Sequence, residues 1–274
     1  MHIPTKCRIL LSVICLIFIA NDLSAQEDPQ EQFSNQTPTQ VAQQYDIPSD
    51  ETQPEGCSRS PKGGFSIHFG GSFPTGNFRE GPIPNTEDAL TSGKLSAAIG
   101  FQLGVKGKIP VPVEGVGIIV SGDFIYNGVT GTLEDRYESL EMDGYYVERP
   151  RYLNIPLFVG LNYRYGFSPT FGIWAEGALG PNFRKITNEE ISISRAKYTL
   201  FQKSEYKMQT SFGFQAGVGI MVNKFSLGLH YYGLGKAEIK GELTRTQNTK
   251  TTTESFSYKK SAHNVLMIRL GHHF

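Results

Sequence analysis

The sequence has 274 residues, with 26 Lys and Arg against 26 Asp and Glu and a mean hydropathy of −0.28. Balanced charge argues against a general nucleic-acid binder, which carries a clear basic excess. After residue 25 no segment approaches the ~18 to 20 apolar residues of a membrane-spanning helix, while 30 Gly, 18 Phe and 13 Tyr point to β-structure with close backbone approaches and aromatic surfaces.

The chain opens with Lys6 and Arg8, an apolar run from Ile9 to Ala20, and small residues at Ser24-Ala25. That order predicts a secretory signal peptide over 1–25. Neither Cys7 nor Cys15 stands at the cleavage point, as a lipoprotein signal would require, and Cys57 is then left without an intrachain disulfide partner. Residues 26–62 are rich in Gln, Pro, Ser and Thr, and carry Glu27, Asp28, Glu31, Asp46, Asp50, Glu51 and Glu55 against Arg59 and Lys62. Such a segment buries too little apolar area to offset its chain entropy, and predicts a disordered acidic linker or tail.

From residue 63 the hydrophobic period becomes two. The clearest strand is 151–163, where Leu153, Ile155, Leu157, Val159 and Leu161 alternate with Asn154, Pro156, Phe158, Gly160 and Asn162. Pro156 cannot donate to a sheet ladder, so a bulge or local bend is expected there. The alternation recurs at Phe212–Val222, Phe225–Tyr231 and Leu266–Phe274, and more weakly at Phe65–Phe73, Ser96–Lys106, Gly117–Asn127 and Phe171–Asn182. Taken out to the links on either side, these make eight strands of roughly 9 to 13 residues, the length a tilted membrane-crossing strand needs.

The links alternate in length: long at 74–94, 128–150, 183–209 and 235–262, short at 107–115, 164–169 and 223–224. A membrane barrel has this pattern because its periplasmic turns are short and its outer loops long. The expected fold is therefore all-β: an eight-stranded antiparallel up-and-down transmembrane β-barrel over 63–274, in the cell outer membrane.

The opening Phe65–Phe78, the run Tyr152-Leu153-Asn154-Ile155-Pro156-Leu157, the segment Ala175–Pro181 and the terminal Phe274 resemble the Bacteroidetes outer-membrane β-barrel family that includes PorT-like proteins. The resemblance covers about 63–274 and rests on strand-packing motifs. It implies a porin-like fold and an outer-membrane location, with a secretion-associated role among the family's possibilities.

An eight-stranded barrel is just wide enough to be filled by side chains. Strand parity points Lys106, Asp123, Arg164, Glu176 and Arg269 inward, with His68, Gln102, Gln215 and His230. Asp123, Glu176, His230 and Arg269 stand at similar heights and are expected to form one charge-paired layer, since buried charges must be paired. That interior cluster reads either as a structural polar plug or as a proton- or ligand-linked site. Outside, the second loop is acidic (Glu134, Asp135, Glu138, Glu141, Asp143 and Glu148 against Arg136 and Arg149), while the third and fourth are basic. Such loops can pack on each other, or bind lipopolysaccharide or a protein partner, as can the 26–62 tail. The Thr-rich fourth loop alternatively extends the last two strands as a protruding hairpin.

No G-x-S-x-G, H-E-x-x-H, paired-Cys or P-loop motif is present, and His272-His273 reads as ordinary terminal-strand histidine. No catalysis, cofactor or metal is expected. The expected role is structural or interactive, in envelope integrity, adhesion or secretion. The alternative is a small-ligand binder or a conduit for hydrophobic compounds.

Overall fold

A computed structural model describes residues 63–80, 95–195 and 198–274. The expected signal peptide, the acidic 26–62 segment and Cys57 lie outside the described residues. The elements in chain order are β1 (Gly64–Thr75), β2 (Ala97–Pro110), β3 (Val116–Val129), α1 (Thr132–Met142), β4 (Tyr146–Glu148), β5 (Tyr152–Gly166) and β6 (Phe171–Ile186). They continue with β7 (Glu189–Arg195), β8 (Tyr198–Tyr206), β9 (Gln209–Val222), β10 (Phe225–Gln247) and β11 (Lys250–His273).

The antiparallel pairings β1–β2, β2–β3, β3–β5, β5–β6, β6–β9, β9–β10, β10–β11 and β11–β1 close a ring. The fold is thus an up-and-down β-barrel in which every ring strand has two partners and no edge is left open. Alternation along each strand puts Ser66, Gln102, Asp123, Asn154, Glu176, Gln215, His230 and Arg269 in the buried interior. The opposite parity leaves large apolar side chains exposed on the outside: Phe69, Phe101, Val120, Leu157, Leu179, Val218, Leu229 and Ile268 take one from each of the same strands.

At one end the connections are short: 111–115, 167–170 and the two-residue turn at Asn223-Lys224, where Asn223 has φ 54. Asn tolerates the left-handed region that a tight hairpin demands. At the other end the chain builds a second structure. β10 and β11 run on past the ring as a hairpin paired to its tip at Gln247 and Lys250, with Asn248 at φ 54 in the turn. β8 pairs with the extension of β10, β7 with β8, and β4 with β7, giving an outer blade of five strands. The fourth connection is therefore the protruding hairpin, and the expected loop boundaries at 235 and 262 fall inside strands.

Pro156 produces no bulge. Between Gly122↔Leu157 and Ile125↔Asn154, and again between Pro156↔Asn182 and Val159↔Leu179, the pairing lapses for equal lengths on both strands, so the register is kept. The missing donor opens the ladder locally, and the flanking pairs hold it in place.

The second connection contains α1, which strand-period reasoning does not anticipate. Its first turn carries Glu134 and Asp135, which suit the positive end of the helix dipole, and Gly144 at φ +82 follows its end. Arg149 holds the helix from outside, 2.9 Å from Glu141 and 3.7 Å from Glu134. The acidic second loop does pack on the third, by strand pairing of β4 with β7 and by Tyr137 donating to Glu189 at 2.8 Å. The ion pairs between Lys203 and Glu205 and between Lys207 and Glu242 lie within the third loop or tie it to the fourth.

Candidate functional site: the barrel interior

Most of the charged residues expected inside fall into two bonded groups at neighbouring heights. In the first, Asp123 of β3 is the hub. His68 Nε2 lies 2.6 Å from its Oδ1, Gln102 Nε2 donates to the same oxygen at 2.6 Å, and Tyr232 OH donates to Oδ2 at 2.9 Å. Arg269 donates through Nη1 to the Tyr232 hydroxyl, and the same nitrogen is 4.0 Å from Asp123 Oδ1. A buried carboxylate is tolerable here because both oxygens are bonded and a guanidinium lies beside it. Gly104 makes the room: a Cβ at that position would run into Asp123 Oδ1, His68 Nε2 and Gln102 Nε2.

In the second group, Lys106 of β2 donates to both oxygens of Glu176 at 2.7 and 2.6 Å. His230 Nδ1 stands 3.5 Å from Glu176 Oε1 without a hydrogen bond. Trp174 packs over both, with its ring centroid 5.5 Å from Lys106 Nζ and 5.2 Å from the His230 ring. The indole lies over Gly219 and Gly228, where any Cβ would meet its ring atoms. These glycines in β9 and β10 are cut-outs for the one tryptophan of the chain.

The expected single layer of Asp123, Glu176, His230 and Arg269 is thus resolved into a hub at Asp123 and a pair at Lys106–Glu176. His68 and Gln102 join the Asp123 hub. Gln215 is buried beside Tyr232 in register, but neither atom of its amide has a hydrogen-bond partner among the described residues. Arg164 faces the short-turn mouth and is half-buried.

Sequence reasoning misses three participants. Tyr232 follows directly from the β10 alternation, in which His230 faces inward. Arg184 and His263 fall at or beyond the edges of the expected strands, and instead sit fully buried on β6 and β11. Arg184 donates to the carbonyls of Ser261 at 3.0 Å and Gly235 at 3.1 Å, and His263 stacks on Phe78 at 4.2 Å.

A cavity of about 20 Å³ at the short-turn end is lined by Ser66, Lys106, Trp174, Ser226, His230 and His273, among others. That is room for about one water molecule. Among the described residues no group of three or more His, Cys, Asp and Glu is placed to hold a metal ion. His272 and His273 point to opposite sides: His272 packs on Phe225 and Phe274, while His273 Nε2 is 3.0 Å from Ser226 Oγ inside.

No protein-family model matches the chain, and no curated protein does. Among solved structures it is similar to a major outer membrane protein from Thermus thermophilus, at 12% identity over 78% of this chain and 100% of that one, with a TM-score of 0.44. It is also similar to Ail, the attachment invasion locus protein of Yersinia pestis, at 12% identity over 80% and 99% of the two chains, with a TM-score of 0.34. A third likeness is to the outer membrane protein AlkL in lipid bilayers, at 12% identity over 82% and 96%, with a TM-score of 0.35.

Proposed function

We propose that this chain is a non-catalytic outer-membrane protein, in which a closed, polar-filled barrel anchors an outer blade for interaction with other molecules at the cell surface. The observation that carries this reading is the outer face of the ring. All eight ring strands expose large apolar side chains, from Phe69 at 59% to Leu157 at 47%. A contiguous apolar belt of that extent is far larger than water-facing surfaces carry, and a closed ring is one of the two backbone designs that satisfy a bilayer. Lipid covers the belt. Lys236, exposed where β10 leaves the ring, faces the headgroup region and favours charged lipopolysaccharide.

The interior supports a structural plug. Asp123 and Glu176 are each bonded to neighbouring side chains, and the ~20 Å³ cavity falls well short of the ~300 Å³ at which small-molecule sites begin. The blade supports an interaction role in adhesion, envelope integrity or secretion, because it is strand-paired to the barrel's own hairpin and carries charged loop residues of both signs. The motif resemblance to PorT-like barrels favours a secretion-associated setting among these.

Cell fractionation, with boiled and unboiled samples on a denaturing gel, tests this reading. A membrane-fraction band whose mobility changes on boiling is expected. A soluble band without that shift overturns it.

A further inference from the structure

The wall of the small cavity at the short-turn end includes Lys106 and Arg269, and among the described residues no carboxylate belongs to it. Both cations keep donors in hand. An ammonium has three N–H groups, and Lys106 makes two contacts with Glu176, at 2.7 and 2.6 Å. Arg269 spends Nη1 on the Tyr232 hydroxyl, while its buried Nε has no hydrogen-bond partner among the described residues. A buried donor without an acceptor is costly, so an occupant that accepts from both cations is favoured.

The rim adds charge of the same sign. Lys108, the next residue of the same parity on β2, donates to a neutral partner, Asn162 Oδ1, at 2.6 Å. Arg164 stands opposite Trp174 in the β5–β6 ladder and is in no ion pair among the described residues. His273, in the cavity wall, lies in the fields of Lys106, Lys108 and Arg164, with Glu176 the one opposing charge. Three cations against one carboxylate leave two positive charges uncompensated around that wall.

Size limits the occupant. A space of about 20 Å³ admits one small particle, so a water molecule or a monoatomic anion fits and a sulfate or phosphate does not. Charge then separates the two that fit. Water is neutral and leaves the excess in place, whereas an anion accepts from both cations and offsets it. Low-dielectric walls also focus the field of the rim cations on the opening and raise the local anion concentration.

We propose that this cavity is a binding site for a single monoatomic anion of the chloride class, held by the Lys106 ammonium and the Arg269 guanidinium with the hydroxyls of Ser66 and Ser226. Lys108 and Arg164 form the charged approach to it. The anion completes the charge balance of the polar plug. This does not depend on the membrane reading, since the cavity and its charges are properties of the barrel alone.

Trp174 reports on occupancy, being the sole tryptophan of the chain and a wall of the cavity. Bromide, the heavy halide nearest chloride in size, is titrated into the full chain with ionic strength held constant by gluconate, which is too large to enter. Quenching of Trp174 should saturate, and added chloride should reverse it. In the Lys108→Gln/Arg164→Gln variant, half-saturation should need about tenfold more bromide, since two focusing charges are gone. Acrylamide, a neutral quencher, should act equally on parent and variant. Circular dichroism shows that the variant is folded, and the parent's saturation and competition stand whether or not it is. The thermal unfolding midpoint of the parent should also be higher in chloride than in gluconate. Bromide quenching that rises linearly, or that chloride does not reverse, overturns the proposal. So do equal midpoints in chloride and gluconate, which would leave water in the cavity. Sulfate that reverses the quenching as well as chloride does would also overturn it, by moving the site out to the rim.

Discussion

The Tyr232 hydroxyl stands between Arg269 and Asp123, accepting from the guanidinium and donating to Asp123 Oδ2 at 2.9 Å. The phenol therefore relays the charge pair across a gap that the two ions span at only 4.0 Å. A desolvated carboxylate, a desolvated guanidinium and a fully buried aromatic ring meet at this point.

Removing one member of that arrangement strands the other. Asp123→Asn leaves Arg269 buried without its nearest counter-charge and should lower stability by ~3 to 5 kcal/mol. Denaturant unfolding in detergent micelles, followed by the gel shift, measures this. The double variant Asp123→Asn/Arg269→Met should recover a substantial part of the loss, because the stranded charge is gone. A single variant as stable as the parent would show that the pair is not desolvated.

Position 104 has no space for a methyl group, whereas the Cβ of a residue at 107 would meet nothing closer than Val120 O at 3.9 Å. Gly104→Ala should therefore cost ~1 to 3 kcal/mol through displacement of the Asp123 hub, a typical overpacking penalty. Gly107→Ala should be close to neutral. The difference between the two unfolding midpoints is the measurement.

Leu157 is 47% exposed, in the middle of β5 on the outer face. At a bilayer midplane Leu157→Arg should cost ~2 to 4 kcal/mol and impair assembly. A variant that assembles and survives heating like the parent would remove the lipid from this face.

In the blade, Tyr137 and Tyr206 share Glu189, at 2.8 and 3.4 Å. Burial first, and then the Glu189 charge, hold both phenols well above their usual value of 10. The folded blade keeps these protons where the unfolded chain gives them up. The stabilisation is therefore complete below pH 10 and declines as the pH rises past it, by about 1.4 kcal/mol per unit for each tyrosine. Protease sensitivity of the outer loops should increase steeply above pH 10 in the parent. In the Tyr137→Phe/Tyr206→Phe variant the increase should be shallower, and tyrosinate absorbance near 295 nm should lose part of its late-titrating component.

The barrel was legible in the sequence because its two faces differ in kind: Leu153 to Leu161 against Asn154 to Asn162 is a contrast that survives without any structure. The inward set followed from parity, and so did the short and long ends. The blade was not legible, for a reason visible in β10 and β11. Leu234 and Gly235 stand opposite His263 alone, and then Glu238 stands opposite residues 259–260. The two bulges cancel in register, but between them each strand turns its side chains over, so the buried residues pass from Tyr232 and Leu234 to Ala237 and Ile239. An alternation read straight through breaks at that point and looks like a loop. The helix α1 was hidden because its polar sequence offers only Tyr137 to the interior. Within the site, Asp123, His68, Gln102 and Arg269 were legible as inward residues. Their division from Lys106–Glu176 was not, since it depends on how far the strands are staggered around the ring.

Because β10 and β11 run on from wall to blade, interrupted only by the two bulges, the hairpin tip at Asn248 and the hub residues Tyr232 and Arg269 belong to one antiparallel ribbon. A load applied at the hairpin tip would reach the barrel along the strand axes, through the two bulged pairs and into the ring. The protrusion is thus a mast whose footing is the barrel's own wall, and whatever grips its tip pulls on the seam with the longest run of paired residues.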